Sequence, residues 1–347
     1  MIKEAIGAVA QGRDLSAEEM AVVMDEVMSG QATAAQIGGL LTALHMKGES
    51  RGEIAGAART MRAKATKVPV KVAGLVDTCG TGGDGKHTFN ISTTVAFVVA
   101  GAGVPVAKHG NRAVSSGCGS ADVLEALGVR IDLGPEEAAE CLAEAGIGFL
   151  FAPIFHTAMR HAVGPRRELG FRTIFNVLGP LANPAGTTRQ VVGVYDRALT
   201  RTIAEVLVDL GTEHSLVVHG AGGADELTLA GENLVCECRD GGVREYTLRP
   251  AAVGLAEAPL SALAGGDARE NADLLLGILR GEPGPRRDAV LLNAAAAFLA
   301  ADRVADFAEG VRLAAETLDS GAALDALERL RRASERAGAR GRSSESA

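Results

Sequence analysis

A dense run of glycines and polar side chains follows the first predicted β-strand of this chain. Four glycines fall within residues 80–85, and hydroxyl or amide groups follow at Thr88, Asn90, Ser92 and Thr93. Glycines let backbone N–H groups close around phosphate oxygens, and a helix that begins beside them directs the positive end of its dipole toward an anion. The pattern predicts a phosphate-binding loop.

Two familiar phosphate motifs fit this loop only in part. Residues 80–85 satisfy G-x-G-x-x-G, but the acid expected about 20 positions later to hold a ribose hydroxyl is missing, since Asp122 is the next acid after Asp84. The same loop approaches G-x-x-x-x-G-K-[ST], but His87 stands where the magnesium-binding hydroxyl belongs. Neither a Rossmann site nor a Walker site is favoured.

A second polar cluster, at residues 108–120, follows the next predicted strand. Lys108 and Arg112 supply positive charge. Hydroxyl groups at the entrance to a helix predicted over residues 121–127 belong to Ser115, Ser116 and Ser120. Open α/β sheets bind ligands at the carboxyl ends of their strands, so this cluster predicts an anion site beside the glycine loop.

An adjacent pair of acids, Asp225 and Glu226, lies in a loop after a later strand. Such a pair is commonplace on a solvated surface. Mg²⁺ prefers one or two carboxylates together with substrate phosphates and water, so the pair becomes a candidate metal site beside phosphate-binding loops.

Three arginines lie in a helical stretch that interrupts the later strands. One of them, Arg166, could clamp a carboxylate bidentately. For Arg167 and Arg172, surface salt bridges are the favoured interpretation. His156 and His161 are five residues apart, which does not match a helical metal pair, and we interpret them as structural.

The elements that position these residues follow from periodicity. The first 66 residues predict helices only, with capping boxes at residues 16–19 and 50–53 and helix stops at Gly30 and Gly48. From Val72 onward, short apolar runs alternate with helical patterns, which indicates a largely parallel, buried sheet. Strands are predicted at residues 75–78, 104–107, 129–133, 147–151, 190–195 and 215–219, with a hairpin at 233–238 and 243–248. Helices are predicted near residues 268–280, 286–300, 302–319 and 321–336, and disorder at 338–347.

Composition narrows the function classes. The chain has 347 residues, 44 of them glycine, with only 3% aromatics and a net charge of −8. Few aromatics and net negative charge disfavour binding to nucleic acid or to an anionic membrane. Five sparse cysteines, no signal-peptide pattern and no apolar run of membrane-spanning length predict a cytoplasmic protein with free thiols.

Taken together, these motifs resemble the anthranilate phosphoribosyltransferases, the tryptophan-pathway members of the nucleoside phosphorylase-like phosphoribosyltransferases. The resemblance runs from the N-terminal helices to about Arg332. Its strongest matches, all in the expected order, are at residues 80–85, 88–93, 108–116, 166–170, 176–184 and 225–228.

The resemblance implies an α/β fold of the nucleoside phosphorylase/phosphoribosyltransferase type. A small all-helical domain, residues 1–70, would be joined in space by a helical insertion around residues 165–188. A large α/β domain, residues 71–337, would carry a mostly parallel central sheet and bind phosphoribosyl pyrophosphate (PRPP). The family further suggests a homodimer formed through the helical domain.

The resemblance also implies the site residues. PRPP would be held by Gly80, Gly83, Asp84, Thr88, Asn90, Ile91, Ser92, Thr93, Lys108, His109, Gly110, Asn111, Arg112, Ala113, Val114, Ser115, Ser116 and Ser120. Gly80, Asn111 and Arg166 would meet anthranilate, and Ser92, Asp225 and Glu226 would hold Mg²⁺, expected as two ions per subunit. Lys108 and Arg166 are the residues expected to be catalytic.

The implied reaction is attack of the anthranilate nitrogen on the ribose anomeric carbon of PRPP, with release of pyrophosphate. An arylamine is a neutral nucleophile at pH 7, so no strong base is needed, and His109 is only a weak candidate. Two alternatives are a pyrimidine nucleoside phosphorylase of the same fold and a non-catalytic nucleic-acid-binding relative. The residues at 88–93, Arg166 and the acidic pair oppose the first alternative. The net charge and the intact acidic pair oppose the second.

Overall fold

The computed structural model describes residues 1–70, 72–113 and 117–345. The chain begins with four helices, α1 (Ile2–Ala10), α2 (Ala17–Met28), α3 (Ala34–Lys47) and α4 (Arg51–Lys64). The predicted capping boxes are confirmed, since Ser16 and Ser50 each exchange side-chain and backbone hydrogen bonds with the glutamate three residues later. The local sequence therefore dictates where α2 and α4 begin.

A mixed sheet forms the centre of the rest of the chain. Its strands are β1 (Val76–Gly80), β2 (Val106–Gly110), β3 (Ile147–Phe151), β4 (Arg189–Gly193), β5 (His214–His219), β6 (Asn233–Arg239) and β7 (Gly242–Leu248). Within the described residues their order is β3-β2-β1-β4-β5-β6-β7. The first five run parallel, and β6 and β7 add antiparallel. The predicted fold class is confirmed.

Helices cover both faces of this sheet. They are α5 (Ile91–Gly101), α6 (Ser120–Ala126), α7 (Pro135–Ala145), α8 (Ala152–Phe155), α9 (Arg160–Leu169), α10 (Phe175–Leu178), α11 (Leu199–Asp209), α12 (Ala268–Leu279), α13 (Pro285–Ala300), α14 (Phe307–Asp319) and α15 (Ala322–Glu345). Among the described residues, no helix is both long and apolar enough to cross a membrane.

The strand order creates a topological switch point between β1 and β4. The chain proceeds from β1 outward to β2 and β3, then returns to place β4 on the other side of β1. Loops that leave the carboxyl ends of β1 and β4 therefore diverge, which opens a crevice at that edge of the sheet. This is where the glycine loop lies.

The helical stretch at residues 160–182 packs with the N-terminal helices. Buried side chains of this stretch, including Ala162, Phe175 and Leu178, share one apolar cluster with α1 to α4. Polar contacts also tie the N-terminal helices to the sheet domain. The Arg51 guanidinium donates a hydrogen bond to each carboxylate oxygen of Asp209 on α11, both at 2.7 Å.

Two predicted segments differ in the structure. Residues 129–133 are not a strand: Val129, Ile131 and Leu133 are buried in alternation, but the Arg130 N–H donates to Ser334 Oγ on α15 and not to a sheet neighbour. Alternation here reflects packing against a helix. Disorder is predicted for residues 338–347; the structure describes α15 as far as Glu345, and residues 346 and 347 lie outside the described residues.

Candidate active site

The glycine loop leaves β1 and folds over the end of β4. The Thr81 N–H donates to Gly193 O at 2.9 Å, and the Gly82 N–H donates to a carboxylate oxygen of Asp225 at 2.7 Å. Gly82, Gly83 and Gly85 all have φ near +70°, a conformation that glycine adopts without a Cβ penalty. The loop thus brings backbone donors and the acidic pair to the switch point.

Two buried amides fix the loop that carries the acidic pair. Asn293 on α13 accepts from Leu227 N and donates to Leu227 O, at 3.0 and 2.8 Å. Asn233, at the start of β6, makes the same paired contact with the backbone of Thr228. Each amide satisfies a donor and an acceptor that would otherwise be buried unpaired, so the position of Asp225 and Glu226 is closely defined.

Glycines at two strand ends let this loop approach closely. A Cβ atom at Gly193 would overlap the backbone carbonyl of Asp225, and one at Gly220 would overlap the carbonyl of Glu226. Backbone obstructs both positions, so a side chain could be accepted only if the acidic loop moved.

Gly193→Ala should therefore displace Asp225 and abolish most magnesium-dependent activity, with a loss of roughly 1–3 kcal/mol in the free energy of unfolding. Gly7→Ala is the matched control, because a Cβ atom there meets nothing within 4 Å and alanine favours the interior of α1. Chemical denaturation together with a magnesium titration of activity measures both effects. An active Gly193→Ala enzyme with unchanged magnesium dependence would show that the loop position is not required.

A cluster of opposite charges lies beneath the loop. The ammonium group of Lys108, whose residue is only 3% exposed, donates to Thr78 O at 2.6 Å and to Ser92 Oγ at 3.3 Å. The Ser92 N–H, in the first turn of α5, donates to Glu226 Oε1 at 3.2 Å. The structure thus brings Ser92, Lys108 and Glu226 together.

Burial shifts the protonation of these groups. Burial, with the charge of Asp84 as a second cause, raises the pKa of Asp225. Burial and then the charge of Asp225 raise the pKa of Glu226, and burial lowers the pKa of Lys108. The acids are therefore poorly solvated, and a cation placed among them would favour their ionised forms.

A buried acid that sequence reasoning missed supports this cluster from below. The Asp77 carboxylate accepts from His109 N at 3.2 Å and from Asn183 Nδ2 at 2.7 Å, and the same Nδ2 contacts Ala107 O. Asp77 thereby joins β1 to the start of the second cluster. The available signal was a lone acid within an apolar strand, which is rare unless the acid is paired.

The second cluster is compact where the structure describes it. A Cβ atom at Gly110 would overlap Ser120 Oγ, which donates to Asn111 O at 3.2 Å. The Ala113 N–H donates to Asp122 Oδ2 at 2.9 Å. The predicted ligands Val114, Ser115 and Ser116 lie outside the described residues.

Arg112, predicted to bind PRPP, is held by acids of α6. Its guanidinium contacts Asp122 and Glu125, each at 2.9 Å, and hydrogen bonds to both carboxylates raise its pKa. The Arg112 side chain is exposed, and exposed ion pairs of this kind contribute little to the free energy of unfolding. In this arrangement Arg112 braces its own loop.

Four further predicted ligands line the start of α5. Thr88 pairs with Ala264 through an isolated β-bridge, and Asn90 donates to Cys118 O at 3.2 Å. Ile91 is buried, and Thr93 Oγ1 is buried without a hydrogen-bond partner within the described part of the chain. Asn90 therefore links the glycine loop to the second cluster.

His109 lies next to His156 inside the protein. Their ring centroids are 5.0 Å apart, and His109 Nδ1 is 3.2 Å from Gly179 O. Burial, followed by the charge of His156, lowers the pKa of His109 to about 3, and burial lowers that of His156 to about 4. Both rings are therefore neutral near pH 7. They can form an uncharged packing surface, but a neutral imidazole is a poor acid catalyst.

The three arginines of the insertion have different surroundings. Arg166 is half-buried near the end of α9, 5.1 Å above the ring of Phe175, and burial lowers its pKa. The predicted salt bridges of Arg167 and Arg172 are not found with any carboxylate in the described residues. Arg172 instead stacks on Tyr195 at 4.0 Å.

The donor set fits magnesium. Asp225, Glu226 and Ser92 present oxygen atoms, which hard cations prefer. Among the described residues, no three His, Cys, Asp or Glu side chains converge on a metal by themselves. Ions held here would complete their coordination with phosphate and water, as Mg²⁺ commonly does.

Comparisons with known proteins agree with this geometry. Residues 72–324 match the glycosyl transferase family α/β domain, and residues 3–65 match the helical bundle domain of that family. A protein of Desulforamulus reducens called anthranilate phosphoribosyltransferase is 58% identical over 327 residues, covering 94% of this chain and 95% of the relative. One of the same name from Chloroflexus aggregans is 59% identical and covers 95% and 97%.

Solved structures of proteins with the same name are similar to this chain in fold. Anthranilate phosphoribosyltransferase from Thermus thermophilus has a TM-score of 0.91 at 49% identity, covering 95% of this chain and 99% of that one. The Saccharomyces cerevisiae enzyme in complex with PRPP and Mg has a TM-score of 0.88 at 28% identity, covering 96% and 98%.

Proposed function

Because this chain belongs to the anthranilate phosphoribosyltransferases of the glycosyl transferase family, we propose that its substrates meet at the carboxyl ends of β1 and β4. The chain is an enzyme that transfers the 5-phosphoribosyl group of PRPP to the amino group of anthranilate. The products are N-(5-phosphoribosyl)anthranilate and pyrophosphate, and the reaction is a step of tryptophan biosynthesis.

The observation that carries this assignment of the site is the meeting of Ser92, Lys108 and the acidic pair at the switch point. PRPP carries several negative charges, and the glycine loop offers backbone donors beside them. The ligands proposed around the glycine loop are Gly80, Gly83, Asp84, Thr88, Asn90, Ile91, Ser92 and Thr93. Those proposed from the second cluster are Lys108, His109, Gly110, Asn111, Arg112, Ala113, Val114, Ser115, Ser116 and Ser120.

Magnesium is the cofactor that this site suits, and a yeast relative was solved with PRPP and Mg. Ser92, Asp225 and Glu226 would hold the metal, with two ions per subunit as the proposed number. Bound Mg²⁺ neutralises charge on the pyrophosphate leaving group. Lys108 adds a fixed positive charge within the same cluster, and its hydrogen bonds to Thr78 and Ser92 keep it in place.

Catalysis by the chain itself would consist of positioning and electrostatics. Departure of pyrophosphate leaves positive character on the ribose and negative charge on the leaving group, so donors preorganised around the phosphates stabilise the transition state. After attack, the anthranilate nitrogen releases its proton to solvent water. His109 is neutral and buried, and no side chain is assigned as the base.

Arg166 is proposed to bind the carboxylate of anthranilate, with Gly80 and Asn111 beside the ring. Its half-buried guanidinium has no carboxylate partner within the described residues, so it is available to an anionic ligand. Partial burial strengthens a charge-assisted hydrogen bond to such a ligand.

Arg166→Met should therefore raise KM for anthranilate about tenfold to a hundredfold and leave KM for PRPP near its normal value. Arg167→Met, which removes the same charge from the next residue, should leave both constants unchanged. Steady-state kinetics with each substrate varied in turn distinguishes these results. Equal changes in both KM values would contradict a role specific to anthranilate.

We also propose an oligomeric state and a cellular compartment for this chain. Exposed apolar side chains on the helical domain, among them Val22 and Met46, the latter 81% exposed, support a homodimer formed through that domain. No disulfide joins any of the five cysteines, which supports a reducing compartment such as the cytoplasm.

A further inference from the structure

Arg172 occupies an unusual position for a surface arginine. It lies three residues after the end of α9, its residue is exposed, and it forms no ion pair with any carboxylate of residues 1–70, 72–113 or 117–340. Its guanidinium carbon lies 4.0 Å from the centre of the Tyr195 ring, which is within cation–π range. The charge is therefore held in place without being neutralised.

The glycine loop borders the same guanidinium. A Cβ atom built on Gly83 would lie 3.2 Å from Arg172 Nε and 3.7 Å from Nη2. Gly83 has φ +74°, so both the conformation and the free space at this residue suit glycine. The Arg172 side chain thus lies against the middle of the loop whose backbone donors would meet phosphate.

Tyr195 is itself attached to the site. Its backbone N–H donates to Thr81 Oγ1 at 3.1 Å, and Thr81 N–H donates to Gly193 O. The backbone that carries this ring is therefore bonded to the glycine loop, next to the residue, Gly82, that donates to Asp225. These bonds link the residue beneath the Arg172 guanidinium to the loop that contacts the acidic pair.

The chemistry of this arrangement suits an anion. Stacking occupies the face of a guanidinium and leaves the N–H groups along its edge free to donate in plane, the geometry that matches phosphate oxygens. The loop also carries two acids: Asp225 accepts from Gly82 N, and Asp84 accepts from Asp225 N. Carboxylates beside the loop would repel a phosphate if no cation balanced them. The guanidinium of Arg172, close to Gly83, is a cation that could provide this balance.

We propose that Arg172 is a substrate-binding residue whose guanidinium, fixed on Tyr195, donates hydrogen bonds to a phosphate oxygen of PRPP lying over the glycine loop. This inference rests on the proposed function of the same site. It assigns to Arg172 a role in holding PRPP that is separate from the role of Arg166 toward anthranilate.

The test compares Arg172→Met with Arg167→Met in steady-state kinetics. Arg172→Met should raise KM for PRPP about tenfold or more while KM for anthranilate stays constant, because a charged hydrogen bond to one substrate is lost. Arg172→Lys should recover part of the loss, and Arg167→Met should behave as wild type. Isothermal titration with PRPP and Mg²⁺ should show the same order of affinities.

A second variant separates binding from folding. Tyr195→Leu keeps Arg172 but removes the ring beneath it, and it should also raise KM for PRPP selectively, whereas Tyr195→Phe should not. A wild-type KM for PRPP in both Arg172→Met and Tyr195→Leu would overturn the inference. An equal rise in both KM values with a lowered Tm would also overturn it, since that pattern belongs to a structural role. Failure of the wild-type chain to form product would instead overturn the proposed function.

Discussion

Asp225→Asn combined with Glu226→Gln should reduce magnesium-dependent turnover on the order of a thousandfold. Both changes keep the shape of the side chain. The amide oxygens can still accept from Gly82 N and Ser92 N, the contacts that the carboxylates make now. The charge proposed to hold a divalent cation is removed while the loop stays anchored by Asn233 and Asn293.

The double variant should fold as well as the wild type, because both acids are half-buried and loss of solvation raises the pKa of each. Replacing two poorly solvated acids by amides removes a desolvation cost and does not open a cavity. Asp240→Asn with Glu232→Gln, two exposed acids outside the site, is the matched control for the change in net charge. Turnover that is unchanged across a magnesium titration would remove the metal role of the pair.

Lys108→Met should lower kcat by about a hundredfold to a thousandfold, the usual effect of losing one preorganised charge at a transition state. Methionine preserves the length and apolar stem of the side chain in its buried channel but cannot donate to Thr78 O or Ser92 Oγ. Additional Mg²⁺ should not restore activity, since the ammonium group donates to Thr78 O and Ser92 Oγ as a charge separate from the proposed metal.

Some loss of stability accompanies this change. The Thr78 carbonyl loses its 2.6 Å donor, which costs about 1–3 kcal/mol when the acceptor stays buried. Denaturant unfolding measures that loss separately from kcat, with Lys3→Met as a surface control. A Lys108→Met enzyme with normal kcat and reduced stability would show that the lysine is structural.

The sequence predicts those parts of the site that depend on local chemistry. Glycines with φ above zero, serine at the start of α5 and paired acids after β5 are visible as residue types in fixed order. Capping boxes and the hairpin between β6 and β7 follow from neighbouring residues, with Asp240 and Gly241 at φ +51° and +77° in the turn.

Long-range contacts explain what sequence reasoning missed. Alternating apolar residues at 129–133 look like a strand, but their partner is α15, about 200 residues later. Asp77 and Asn183 meet 106 residues apart, and Arg172 reaches Gly83 across the same fold. Their local sequence gives no sign of these partners, so their roles emerge only when the sheet brings them together.

Phosphoribosyl transfer by this chain can be measured by following PRPP and anthranilate in one reaction. The purified chain is mixed with both substrates, and loss of anthranilate fluorescence is recorded with pyrophosphate release over a range of Mg²⁺ concentrations. We predict one pyrophosphate for each anthranilate consumed, and no turnover without the metal. Anthranilate left unchanged at every Mg²⁺ concentration, with phosphorolysis of a pyrimidine nucleoside in its place, would contradict the account.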